Sequence, residues 1–66
     1  MTTLNVEGMT CGHCEAAVRK ALEAVPGVTR VVEVDRSRNV AVVEGDADTS
    51  ALVAAVVEEG YQASVA

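Results

Sequence analysis

Leu4 and Val6 alternate with Thr3, Asn5 and Glu7 near the start of the chain. That two-residue period predicts a half-buried strand over Thr2 to Glu7. Gly8 to Gly12 reads as a loop. From Cys14 to Val25 the period changes, and Val18, Ala21, Leu22 and Val25 fall at i, i+3, i+4 and i+7. They form one apolar helical stripe. Glu15, Arg19, Lys20 and Glu23 take the other, solvated face and are spaced for i,i+4 pairs. Pro26-Gly27 stops this helix. The β-branched run Val28 to Val34 predicts a second strand. Asp35 to Asn39 is turn chemistry, and Val40 to Glu44 predicts the returning strand of a hairpin. Asp48 or Thr49 supplies the N-cap of a second helix. Its stripe is Leu52, Ala55 and Val56, widened by Val53 and Val57, and Gly60 caps its end. Tyr61 to Val65 is a last short strand, with Tyr61, Ala63 and Val65 on one face.

The order is βαββαβ, an α+β arrangement. Right-handed crossovers in each βαβ half give an antiparallel four-stranded sheet with both helices on one face. Strand direction then brings three connections to one end of the sheet: the Gly8–Gly12 loop, the Asp35–Asn39 turn and Gly60-Tyr61. Tyr61 therefore comes near Cys11 and Cys14. The 66 residues predict one domain, residues 1–66, with no linker or low-complexity segment.

Composition narrows the core and the partners. Half the residues are hydrophobic, yet Tyr61 is the sole aromatic. The core must be aliphatic, built from Val, Leu and Ala. A net charge of −5 argues against a nucleic-acid backbone as partner. Without Phe or Trp there is no stacking platform for single strands. The acidity serves solubility. No run has the length of a membrane span, and the N-terminal residues lack the basic flank and apolar run of a signal peptide. The expectation is a cytoplasmic protein without membrane insertion.

The chemistry is concentrated in Met9-Thr10-Cys11-Gly12-His13-Cys14, which holds both cysteines. Two thiols separated by two residues can close on one ion, and soft ions such as Cu(I) prefer thiolate to the plentiful carboxylates. A strand–loop–helix setting puts the sulfurs near a helix N-terminus, which favours the thiolate. A disulfide here would close a very small loop and stabilise the fold least. A c-type haem site needs His after the second Cys, where Glu15 stands. A structural zinc site needs four ligands, and this chain has one cysteine pair and one His. Met9 offers a third soft ligand or, in the favoured reading, a gap-filling core residue. His13, between two inward-facing ligands, is expected to point away from them. Tyr61 is read as a lid over the core that also shields the ion. Asp35, Asp46 and Asp48 lack the ligand ladder of a Ca²⁺ loop and serve turns and caps.

With these residues the chain resembles heavy-metal-associated domains of the soluble bacterial copper-chaperone type. The resemblance rests on Gly8-Met9-Thr10-Cys11-Gly12-His13-Cys14, Pro26-Gly27-Val28 and Gly60-Tyr61, and spans essentially the whole chain. It implies a ferredoxin-like βαββαβ sandwich. It also implies Cu(I) held between Cys11 and Cys14, with Met9 packed under the loop and Tyr61 near the metal. The implied activity is delivery of Cu(I) by ligand exchange to the metal-binding domain of a copper-transporting P-type ATPase, or to another C-x-x-C acceptor. No covalent bond in a substrate changes, so the chain is not expected to be an enzyme. Thr10 stands where some zinc-transport domains carry Asp, which leans toward copper. The basic docking face of eukaryotic chaperones is absent. A monomer is expected without metal, with metal-bridged dimers as an option. The alternatives are a carrier or buffer for Zn(II), Cd(II) or Hg(II) in the same fold, and a dithiol oxidoreductase.

Overall fold

Each predicted element forms. The computed structural model describes residues 1–66 as β1 (Thr2–Glu7), α1 (Gly12–Glu23), β2 (Val28–Asp35), β3 (Val40–Gly45), α2 (Thr49–Glu58) and β4 (Gln62–Val65). The strands form one sheet in the order β2-β3-β1-β4, and every neighbouring pair is antiparallel. Leu4 and Val6 of β1 and Ala41 and Val43 of β3 point to the same face. There they join Val18 and Leu22 of α1 and Leu52 and Val56 of α2 in a single aliphatic core. Both helices thus cover one face, which is the ferredoxin-like βαββαβ sandwich. No helix is long and apolar enough to cross a membrane.

The element ends follow local chemistry. α1 starts at Gly12, two residues before the predicted Cys14, because Cys11 takes the extended N-cap conformation. It ends at Glu23, yet Val25 beyond it is still buried. Asp48 is the N-cap of α2, and its side chain accepts the Ser50 N–H at 3.2 Å. After Glu58 the chain closes with Gly60 N–H to Val57 O at 2.9 Å and Tyr61 N–H to Val56 O at 3.4 Å. With Gly60 at φ 97° this is a Schellman termination, and it sets Tyr61 at the head of β4. In the β2–β3 turn, Asp35 Oδ1 accepts from Ser37 N–H at 2.9 Å and Ser37 Oγ at 2.6 Å. The Ser37 hydroxyl chiefly holds the Asp35 carboxyl below its ordinary range.

Some side chains depart from the sequence pattern. Val57 and Val65 are each 51% exposed, so neither belongs to the core. Leu52 and Val56 already fill the inward stripe of α2, and Val57 lies about 100° around the helix from Val56. Val65 lies on edge strand β4, which has a neighbouring strand on one side only. The ion pairs expected along α1 do not form. Glu15 accepts the Arg36 backbone N–H at 2.8 Å, and Arg19 Nη1 donates to Val31 O at 3.0 Å. Arg19 is therefore half-buried rather than part of a solvated face. The ion pairs that do form join Arg30 to Glu44 at 2.6 Å and Arg38 to Glu33 at 3.4 Å and, at longer range, to Asp35 at 4.0 Å. These are surface pairs, of the kind that contributes about 0–1 kcal/mol each.

The three connections meet at one end of the sheet as predicted. Glu7 stands opposite Gln62, and Asp35 opposite Val40. Asn39 O, in the turn, accepts the Val6 N–H at 2.8 Å.

At the far end, Gly45 has φ 130°, and a Cβ there would collide with Gly27 O and Thr29 N. Gly12 is helical, and a Cβ there meets nothing within 4 Å. Gly45→Ala should cost about 3 kcal/mol or more. Gly12→Ala should be neutral or stabilise by up to about 1 kcal/mol. Urea unfolding of the metal-free proteins checks both, and a Gly45→Ala midpoint equal to that of the parent would contradict the packing described.

Candidate metal centre

The centre is built where β1 ends and α1 begins. Gly8 leaves the strand at φ 102°, a conformation that L side chains rarely adopt. A Cβ on Gly8 would stand 3.4 Å from Tyr61 Cδ1, so the Tyr61 ring lies against the Gly8 backbone. Met9 turns inward and is 7% exposed, within the core cluster. Thr10 is exposed beside it. Cys11 caps α1 in extended conformation (φ −158°, ψ 176°), and its carbonyl accepts the N–H groups of Cys14 at 3.0 Å and Glu15 at 3.3 Å. Its side chain makes no capping bond. Gly12 and His13 follow on the exposed side of the first turn.

This path brings the two sulfurs together. Cys11 Sγ and Cys14 Sγ are 3.9 Å apart, both are free thiols, and both are half-buried. Thr10 Oγ1 approaches Cys14 Sγ at 3.7 Å. The Tyr61 hydroxyl, as a hydrogen-bond donor toward the same sulfur, is the largest of the influences that hold the Cys14 thiol well below its ordinary value, to about 6. The Thr10 backbone and hydroxyl and the Cys11 backbone act in the same direction, against a smaller opposing effect of desolvation. In return the Cys14 sulfur pushes the Tyr61 phenol up.

Two metal–sulfur bonds of about 2.3 Å each can span up to about 4.6 Å. One ion can therefore touch both sulfurs at their present separation, with a bend at the ion. The sulfurs gather no third Cys, His, Asp or Glu into a metal-holding cluster. A groove of about 440 Å³ lies elsewhere, between the helices, lined by alanines with Pro26, Glu58 and Glu59. The cysteines sit on the surface rather than in it.

Of the residues singled out in the sequence, Cys11, Cys14, Thr10 and Tyr61 come together. Met9 lies underneath in the core, and Gly12 and His13 are at the exposed rim. Sequence reasoning missed the bond from Glu15 to the Arg36 N–H. Its only sequence signal was an acidic residue in the first turn of α1, which the helix dipole alone explains. It also missed the seat of Tyr61 on Gly8, for which the glycine before Met9 was a usable sign.

The heavy-metal-associated domain profile matches residues 3–62. The chain belongs to the heavy-metal-associated domain family. It is thus a heavy-metal-binding domain of the copper-chaperone type. It is similar to copper-transporting ATPase 2 of Rhizobium meliloti, 48% identical over 61 residues, 89% of this chain and 7% of the ATPase. The chain therefore spans a small fraction of that relative's length. It is 42% identical over 65 residues to the mercuric transport protein periplasmic component of Pseudomonas aeruginosa, covering 96% of this chain and 71% of that protein. Among solved structures, the apo copper chaperone of Enterococcus hirae superposes with a TM-score of 0.91 at 33% identity, over 100% of both chains.

The electrostatics of Cys14 give a pH test. Its folded value near 6 lies below the unfolded thiol range of about 8.5. The thiolate therefore contributes stability that is fully present above the unfolded value and is lost as pH falls through about 6. Alkylation of metal-free protein against pH, resolved by mass spectrometry, should give Cys14 a midpoint near 6. Tyr61→Phe should move that midpoint upward. A Cys14 midpoint like that of a free peptide thiol, or no movement in Tyr61→Phe, would refute the assignment.

Proposed function

We propose that the chain is a Cu(I) carrier, holding the ion between the thiolates of Cys11 and Cys14 and passing it to a C-x-x-C acceptor by ligand exchange. The observation that carries this reading is the pair of free, half-buried sulfurs 3.9 Å apart with no third Cys, His, Asp or Glu gathered around them. Soft thiolates at low coordination number suit Cu(I), whereas Zn(II) in structural sites takes four ligands. An ion held by two sulfurs near the surface can be reached by an incoming thiolate before the first pair lets go. Transfer then has a low barrier without loss of affinity. Thr10 and Tyr61 favour the thiolate and screen the ion, Met9 supports the loop from the core, and His13 stays off the ion.

On this reading the chain, residues 1–66, is one heavy-metal-associated domain and changes no covalent bond in a substrate, so it is not an enzyme. Its partner is the metal-binding domain of a copper-transporting P-type ATPase. The likeness to the Rhizobium meliloti ATPase supports that choice. A C-x-x-C pair that serves as a metal site fits a reducing, cytoplasmic setting. The protein is a monomer without metal, and a second copy can share the exposed ion. One further reading has support of its own. Likeness to the mercuric transport protein favours Hg(II), for which two thiolates are also suited.

Anaerobic competition titrations with Cu(I), Hg(II) and Zn(II) separate these readings. We expect one Cu(I) per chain, bound far more tightly than Zn(II). Cys11→Ser and Cys14→Ser should each weaken Cu(I) by more than about 100-fold, the upper range for losing a merely supporting residue. Unchanged Cu(I) affinity in either mutant would overturn the site. Transfer of Hg(II), but not Cu(I), to an acceptor domain would favour the mercury reading.

A further inference from the structure

Glu15 follows Cys14 in the first turn of α1, and its carboxylate does not pair with Arg19. Oε2 accepts the backbone N–H of Arg36 at 2.8 Å. Arg36 lies in the turn between β2 and β3, and that turn is itself firmly held. Asp35 Oδ1 collects three hydrogen bonds there, from Ser37 N–H, Ser37 Oγ and Arg38 N–H. Asn39, at φ 56°, passes the turn back to the sheet, where its carbonyl takes the Val6 N–H at 2.8 Å. One turn further along α1, Arg19 Nη1 donates to Val31 O at 3.0 Å. Successive turns of α1 are thus tied to β2 and to its turn.

The first of these ties bears on Cys14. The first turn of a helix is its least secured part, because its N–H groups have no intrahelical acceptors and helix ends fray. Cys14 sits in that turn, with its N–H on Cys11 O and its sulfur between Thr10 Oγ1 and Cys11 Sγ. A carboxylate accepting an N–H makes a charge-assisted bond, stronger than a neutral one. Charge alone would argue against a carboxylate at this place, since an anion beside two thiolates disfavours their ionisation. Any contribution from Glu15 must therefore come through its hydrogen bond.

We infer that Glu15 is a positioning residue for Cys14. By binding the Arg36 N–H it fastens the first turn of α1 to the β2–β3 turn and keeps the Cys14 sulfur in place opposite Cys11. Its consequence for metal transfer rests on the carrier reading above; the fastening itself does not need a metal.

Two substitutions separate bond from charge. Glu15→Gln removes the charge and keeps an oxygen acceptor at the same reach, while Glu15→Ala removes both. The first measurements use metal-free protein: amide hydrogen exchange at Arg36, and competitive alkylation of Cys14 against Cys11 at a pH where both thiols are ionised. Glu15→Ala should speed Arg36 exchange about three- to tenfold. It should also raise the alkylation of Cys14 relative to Cys11. Glu15→Gln, which keeps a neutral acceptor, should fall between the parent and Glu15→Ala in both. Removal of Cu(I) by a competing chelator should then be faster in Glu15→Ala and partly restored in Glu15→Gln. The inference is overturned if Gln and Ala variants shift equally, if neither shifts, or if both cysteines gain reactivity in parallel. If the apo results hold but Cu(I) does not bind, the carrier reading fails and the positioning role stands.

Discussion

The burial of one stripe of α1 against the sheet is the contact on which the rest depends. Val18 and Leu22 are fully buried among Leu4, Val6, Ala41, Val43, Leu52 and Val56, and Met9 closes the metal end of the same cluster. Each of the buried leucines contributes about 1.5–3 kcal/mol by leaving water. With no aromatic in this cluster, shape must come from branched aliphatic side chains meeting at close range. Once Val18 and Leu22 are seated, the start of α1 can lie only over the end of β1. The loop from Gly8 to Cys11 must then turn tightly to reach it. The two sulfurs face one another, 3.9 Å apart, as a consequence of that turn.

The same packing explains the chemistry of the pair. Cys14 is set in the helix, where Thr10 and Tyr61 act on its sulfur and hold its thiol near 6. Cys11 stands at the N-cap with its side chain free of capping duty. Both sulfurs stay partly exposed because the core ends beneath them at Met9. On the carrier reading proposed above, a half-buried sulfur pair open to an incoming thiolate suits delivery better than storage.

Much of this was legible in the sequence, for identifiable reasons. Periods of two and of three to four residues, punctuated by Pro26-Gly27 and Gly60, located every strand and helix within about two residues. Strand order alone carried Tyr61 to the cysteines across some fifty positions of chain. The misses are those that local pattern cannot see. Val57 and Val65 are apolar and extend the predicted helix stripe and strand face, but cover over them depends on where the helix and the sheet edge stop. Glu15 and Arg19 have ideal spacing for each other, yet both bond instead to backbone groups of the β2 region. Only the tertiary arrangement reveals those competing partners. The depressed thiol of Cys14 was foreseen from the helix N-terminus, whereas Tyr61 and Thr10 are the leading causes.

In the proposed centre, Cys11 and Cys14 alone hold a soft ion at low coordination number. X-ray absorption spectroscopy of the Cu(I)-loaded protein counts and identifies the atoms around copper. Two sulfur neighbours per copper are expected, with no nitrogen or oxygen bound to it. A histidine nitrogen from His13, a carboxylate oxygen, or a third sulfur from Met9 at full occupancy would contradict that arrangement.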